Sequence, residues 1–299
     1  MNCLLCSSQN LSPIREINGY MLKQRWQAEF GIDISTEIRD VILFKQLYCE
    51  NCKIQFFDPL NAGSSDLYKQ LERFDWYYQQ NKWEYTRALQ DLPGCDRVVE
   101  IGSGYGYFAE HARKALKLNI HGIEINPDAV VFARAKGLTV DLVSLEELAA
   151  QKPGYYQAVC AFQVLEHVDN PRSFLRSCCD LLVPGGKLIL SIPNGMGFQF
   201  KLDLLLDMPP HHLSIWNPET LSKLARIYSL DLMKLEFEPL PPYHVDLWMR
   251  YCLPEVPSKS LVLRALRKIA RKTIHLYLFL FPFQNFLRGM GMYAVFVKR

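Results

Sequence analysis

At 299 residues, 49% of them apolar and 12% aromatic, the chain is long enough to bury one full-sized core and a smaller appendage. The opening MNCLLCSSQN has no basic stretch leading into an apolar run, and no run of roughly 18 apolar residues occurs anywhere. Neither a secretory signal nor a spanning helix is expected, and the chain reads as cytoplasmic. In that reducing compartment nine cysteines, an odd number, argue against a disulfide framework and for metal binding or buried thiols.

The first cysteines form two knuckles, CLLC at Cys3 and Cys6 and CENC at Cys49 and Cys52. Each CxxC turn offers two thiolates, so four soft sulfurs can surround one Zn²⁺ tetrahedrally. The spacer from Ser7 to Tyr48 is longer than in a compact ribbon, but the knuckles alone set the geometry. Four thiolates leave no open position, which makes this a structural zinc site rather than a catalytic one. Free thiols are the bland alternative.

In the next segment Leu67, Leu71, Phe74 and Tyr78 recur at helical spacing before Pro93 and Gly94, which predicts linking helices. From Arg97 short apolar strands alternate with helical patterns: RVVEIG, NIHGIEI, TVDLV, YQAVCAFQVL and GGKLILSIP. DLMKLEFEP and GMYAVFVKR bring the strands to seven. The fold class is therefore α/β, a doubly wound, mostly parallel sheet with a small N-terminal module.

In such a sheet the chemistry lies at the carboxyl ends of the strands. VVEIGSGYG puts Gly102, Gly104 and Gly106 between a buried strand and a helix, where a ligand can approach the backbone closely. The spacing is GxGxG rather than GxGxxG, and Glu100 precedes the loop. A carboxylate there suits an ammonium group better than a pyrophosphate, which disfavours a dinucleotide dehydrogenase. The second strand ends in Glu124, placed to accept hydrogen bonds from ribose hydroxyls. Asn126 and Pro127 begin the next helix and Gly137 closes it.

From about Trp83 to Pro218 the motifs VVEIGSGYG, GIEINP, FQVLEHVDNP and LLVPGGKLILSIPN resemble, in order, those of class I S-adenosylmethionine-dependent methyltransferases. The resemblance implies that Glu100 and the glycine loop hold the methionine moiety, Glu124 holds the ribose and Ile125 packs on adenine. Ser144 stands where the family often has an acidic contact to the adenine amine, so backbone groups near Leu145 would take over that role. Gln163 would lie near the methionine, and His167 near the methyl-transfer region or bonded to a loop carbonyl as a scaffold. The implied organisation is a zinc module over 1–62, linking helices over 63–94 and a methyltransferase domain over 95–299.

DMPPHHLSIWNPETL resembles the acceptor-side segment of methyltransferases that modify sugars and polysaccharides. Two prolines before the histidines predict an extended, rigid backbone on which His211 and His212 point apart, one of them able to act as a general base. His212 is the first candidate, His211 the second and His167 the third. Some sugar C-methyltransferases carry a similar cysteine module, but their large C-terminal domain has no counterpart here, which leaves O- and C-methylation open. The acceptor is expected to be a small molecule, a sugar or glycan precursor that is free or lipid-linked.

Residues 256–299 hold 9 Lys or Arg and no Asp or Glu. Within a basic insertion at about 245–288, the segment 259–288 has Val262, Leu266, Ile269, Ala270 and Thr273 on one face and Arg264, Arg267, Lys268, Arg271 and Lys272 on the other. Peripheral contact with an anionic membrane is one reading, and a solvated helix packed on the domain another. An RNA methyltransferase gripping phosphate with this segment and the zinc module is the runner-up function. No basic, aromatic surface flanks the active-site motifs, so nucleic acid is not the expected partner. A binding protein that keeps the fold without turnover is the third reading.

Overall fold

The computed structural model describes residues 1–77, 79–254, 266, 268–270, 272–274 and 286–299. Tyr78 and most of the basic segment lie outside them. Leu266 and Ile269 of that segment are exposed.

The N-terminal strands β1 (Leu11–Asn18), β2 (Leu43–Cys49) and β3 (Gln55–Asp58) form an antiparallel meander. Between the first two lie helices α1 (Gly19–Phe30) and α2 (Ser35–Ile38). Asn18 caps α1 by accepting the Met21 N–H at 3.0 Å, and Gly31 ends it at φ +64°, a conformation that costs glycine little. Leu22 and Trp26 of α1 pack with Ile32, Ile38, Phe44 and Leu67 into a satellite core, so the long spacer between the knuckles folds on its own apolar residues.

Helices α3 (Ser65–Leu71) and α4 (Trp83–Asp91) lead to the larger sheet. Its strands are β4 (Val98–Ile101), β5 (His121–Glu124), β6 (Thr139–Leu142), β7 (Tyr156–Phe162) and β8 (Leu182–Pro193), then, beyond the short β9 (Ser214–Ile215), β10 (Leu230–Pro239) and β11 (Arg288–Lys298). Helices α5 (Tyr107–Leu116), α6 (Pro127–Ala135), α7 (Leu145–Gln151) and α8 (Pro171–Leu181) connect the parallel part, α9 (Pro218–Ile227) precedes β10 and α10 (Val245–Cys252) follows it. The order is β10-β11-β8-β7-β4-β5-β6, with the last two strands of the chain antiparallel at one edge. All seven expected strands are present. Alternate residues enter different cores, Val99 and Ile101 on one face and Val98 on the other, as a strand covered on both sides requires.

From β4 the chain steps outward to β5 and β6, then returns to β7 on the opposite flank. That reversal opens a crevice at the carboxyl ends of β4 and β7. The two sheets are joined, because β9, from the segment after β8, pairs with β3 as the fourth strand of the N-terminal sheet. Cys3, Leu5, Ile54 and Phe56 accordingly share one core with Leu165, Trp216 and Leu221.

Candidate active site

The glycine loop sits at the mouth of that crevice. Gly102 and Gly106 have φ of +68° and +73°, and a Cβ on Gly106 would come within 2.4 Å of Leu138 Cδ1, so only glycine lets the loop turn into α5. Glu124 fastens the loop from the next strand. Its Oε2 accepts the Gly104 N–H at 2.8 Å, and its Oε1 accepts those of Ile125 and Asn126 at 2.8 and 2.9 Å. A carboxylate has about four lone-pair sites, so one remains at Oε2. Ile125 is 78% exposed at the rim.

Glu100 is 2% exposed and its Oε2 has no hydrogen-bond partner. Burial pushes its carboxyl well above the usual carboxylate range, against the pull of Lys82 and with help from Glu124. A buried acid without a partner is the feature a cationic ligand would satisfy. Gln163 holds a left-handed φ of +57°, and its Nε2 donates to Ser191 Oγ at 2.9 Å. Ser144 acts locally, capping α7 in a reciprocal pair with Glu147, whose carboxylate accepts the Ser144 N–H and hydroxyl at 2.8 Å each. Leu145 is buried in the first turn of that helix.

The three histidines converge. Ring centroids are 4.6 Å apart for His167 and His211, 4.9 Å for His167 and His212, and 4.6 Å for His211 and His212. The backbone at 208–212 turns, with the N–H groups of His211 and His212 both donating to Met208 O at 3.0 Å, rather than running extended. The adjacent rings therefore stack at 24° instead of pointing apart, which corrects the expectation from the two prolines.

His167 Nδ1–H donates to His211 O at 2.6 Å. His211 Nδ1–H donates to Leu206 O at 2.8 Å, leaving its Nε2 to accept the Tyr77 hydroxyl at 2.8 Å. Burial, reinforced by the neighbouring histidines, holds His211 well below the usual imidazole range, and burial with the His212 charge pulls His167 down to about 3. His212 faces a carboxylate, its Nδ1 lying 3.4 Å from Asp207 Oδ1. Glu166, 1% exposed, has neither oxygen hydrogen-bonded and is pushed up to about 7 by burial. Lys82 acts electrostatically on Glu100, Glu166 and His167 together, so the acid before the glycine loop and the histidines share one neighbourhood.

The four cysteines also meet. Cys3 Sγ lies 3.5 Å from Cys52 Sγ and Cys6 Sγ 3.5 Å from Cys49 Sγ, with all four within 4.8 Å of one another. Tetrahedral zinc with bonds of about 2.3 Å spaces its sulfurs about 3.8 Å apart, so the cluster fits a Cys₄ ion. Both knuckles turn alike, with Ser7 and Lys53, each following the second cysteine, at φ +62° and +67°. The cluster also touches the histidine segment: Asn217 Nδ2 donates to Lys53 O at 2.7 Å, and the Phe57 N–H donates to Leu213 O at 3.0 Å.

Sequence reasoning missed several groups. Asp207 begins the stretch DMPPHH, where an acid four and five residues before two histidines was the available signal. Glu72, at the end of α3, accepts the Tyr105 hydroxyl at 2.9 Å and Asn126 Nδ2 at 3.3 Å, so the linking segment lies across the glycine loop. Nothing local in the sequence announces that contact.

Comparison with known proteins places this site in context. A family model described as a methyltransferase domain matches residues 76–235. A ubiquinone biosynthesis O-methyltransferase of Xanthomonas campestris pv. campestris is 34% identical over 174 residues, covering 52% of this chain and 72% of that protein. The Xanthomonas oryzae protein of the same name is 38% identical over 125 residues, covering 40% and 52%. In fold, the chain is similar to a SAM-dependent methyltransferase of Archaeoglobus fulgidus, with TM-score 0.50, 23% identity and coverage of 79% and 95%.

Proposed function

This chain belongs to the methyltransferase-domain family of S-adenosylmethionine-dependent enzymes, and from that premise we propose that it methylates a hydroxyl group of a small-molecule acceptor, with His212 as the proton acceptor. The observation that carries the reading is the pairing of a buried Glu100, whose Oε2 has no hydrogen-bond partner, with a glycine loop whose backbone is shaped for close approach. When bound, S-adenosylmethionine supplies an electrophilic methyl group on a sulfonium.

The chain's own residues do the rest. Glu100 receives the ammonium of the methionine moiety beside Gly102, Gly104, Gly106 and Gln163. Glu124, already fastening the loop, offers its remaining lone pair to the ribose, and Ile125 flanks the base near Ser144 and Leu145. Holding the acceptor oxygen in line with the methyl carbon is the main contribution. His212, with its Nδ1 3.4 Å from Asp207 Oδ1, would take the proton that the acceptor hydroxyl loses on methylation. His211, engaged at both nitrogens, and His167, held far below neutral pH, serve as scaffold. Cys3, Cys6, Cys49 and Cys52 would hold one structural Zn²⁺, tying together the turns that flank β3, which pairs with β9.

The acceptor class proposed from the 207–221 segment is a sugar or glycan precursor. The Xanthomonas relatives, named ubiquinone biosynthesis O-methyltransferases, favour a second class, a precursor of ubiquinone. Transfer of labelled methyl from S-adenosylmethionine to nucleotide sugars, lipid-linked sugars and ubiquinone precursors separates the two. His212→Gln should lower turnover about 10²- to 10⁴-fold on the active acceptor with cofactor affinity unchanged by calorimetry. Full turnover in that variant removes the base assignment, and tight cofactor binding with no transfer to any class supports a non-catalytic protein.

A further inference from the structure

The histidine cluster has more donors than a single base needs. His167, His211 and His212 each offer one nitrogen, all within 4.8 Å of one another, and His211 and His212 are buried. Backbone carbonyls hold the Nδ1–H of both His167 and His211, which leaves Nε2 as the lone-pair nitrogen of each, that of His211 accepting the Tyr77 hydroxyl at 2.8 Å. Carbonyl acceptors on the far nitrogen are the usual outer support of metal-bound imidazoles. Two carboxylates stand beside the rings: Glu166 Oε1 is 3.8 Å from His167 Nε2, and Asp207 Oδ1 is 3.4 Å from His212 Nδ1. Both oxygens of Glu166 and Oδ2 of Asp207 are buried without a hydrogen-bond partner. Tyr68 closes the apolar side, edge-on to His167 at 5.8 Å. Buried acids without partners next to convergent imidazoles are an arrangement a divalent cation would complete.

We propose that His167, His211 and His212 bind a second divalent cation, a borderline ion such as Zn²⁺ or Co²⁺, with Glu166 and Asp207 beside it. Imidazole favours such ions over Mg²⁺ or Ca²⁺. A tetrahedral ion with bonds of about 2.0 to 2.1 Å spaces its ligands about 3.4 Å apart, so the nitrogens, within 4.8 Å of one another, close in by at most about 1.4 Å, and the Tyr77 hydroxyl gives up His211 Nε2. An ion bound to His212 withdraws it as proton acceptor, so a loaded cluster is an inhibited state of the proposed enzyme. The inference does not depend on methyl transfer, because binding is read without turnover.

The experiment takes the full chain with one Zn²⁺ in the cysteine cluster and titrates Co²⁺ by equilibrium dialysis and absorption. Expected is one further equivalent with a visible d–d band and no added thiolate charge-transfer band. His167→Gln and His212→Gln should each weaken that equivalent at least tenfold, and Glu166→Gln by about 10- to 100-fold. A variant that fails to fold is bypassed by proton NMR of the Co²⁺-loaded wild type. There, two slowly exchanging, paramagnetically shifted imidazole N–H signals are expected from His167 and His211, whose Nδ1–H groups are held by carbonyls. A second equivalent with thiolate charge-transfer, one that persists in both histidine variants, absence of a second equivalent, or absence of the shifted N–H signals overturns the proposal.

Discussion

Replacing Glu100 by Gln should move stability and cofactor affinity in opposite directions. In the folded chain this carboxyl is 2% exposed, with Oε2 unpaired, and burial raises its pKa well above the usual value. The sign follows from linkage. A folded-state pKa above the unfolded one means that the native state binds the proton more tightly, so stability is greatest below about pH 4.5 and falls as pH rises through the folded value. Gln is neutral at every pH and removes that loss. At pH 8, leaving a buried polar group unsatisfied costs about 1–3 kcal/mol, so the variant should gain stability of that order, trimmed because the amide also needs partners. For a domain of this size each kcal/mol corresponds to about 2–4 °C in melting temperature. Cofactor binding should weaken by about 1.5–3 kcal/mol through loss of a charge-assisted hydrogen bond to the ammonium, roughly 10- to 150-fold in Kd. Scanning calorimetry between pH 5 and 8 and titration calorimetry with S-adenosylmethionine read the two quantities. A variant that melts lower at pH 8 and binds the cofactor as tightly as wild type refutes the reasoning on both counts.

Three further outcomes are expected. Cys49→Ser with Cys52→Ser should release one Zn²⁺ by elemental analysis and speed hydrogen exchange over 43–58 and 211–217, while the larger sheet stays folded, because β3 carries β9. His167 and His244 are drawn down to about 3 and about 4 by burial, so both are held neutral by the fold. Their stabilisation is complete above about pH 6.5 and is lost as pH falls toward those values, and urea unfolding at pH 7 and 5 should show a smaller loss in His244→Gln than in wild type. Binding to anionic vesicles should weaken in high salt and when Arg267, Lys268, Arg271 and Lys272 become Gln; equal sedimentation with neutral vesicles removes the electrostatic membrane reading.

What the sequence settled alone was whatever neighbouring residues dictate. Alternating apolar strands and helices determined the seven-stranded sheet, because a strand buried on both faces must be apolar along its length and the helices between must cover it. GSGYG after VVEI was legible because a tight strand-to-helix turn at φ +68° and +73° favours glycine, which alone carries no Cβ into the packed neighbours. The place of Glu124 at the end of the neighbouring strand was legible, whereas its hydrogen bond to the Gly104 N–H was not. The knuckles were legible by spacing, since a CxxC turn is local.

The N-terminal strands were not legible, because LSPIREIN is half exposed and interrupted by proline, and its pairing is decided by β2 some 30 residues on. No local rule brings Ser214 to Phe56, lays Glu72 across the glycine loop, or turns 208–212 so that His211 and His212 stack beside His167. Those contacts join residues tens to more than a hundred positions apart, and their geometry comes from packing two cores against each other. The sequence thus determined the scaffold and the glycine loop at the strand ends, while only the tertiary structure decided which side chains face one another there, because side-chain convergence depends on the summed packing of distant elements rather than on the propensity of any one.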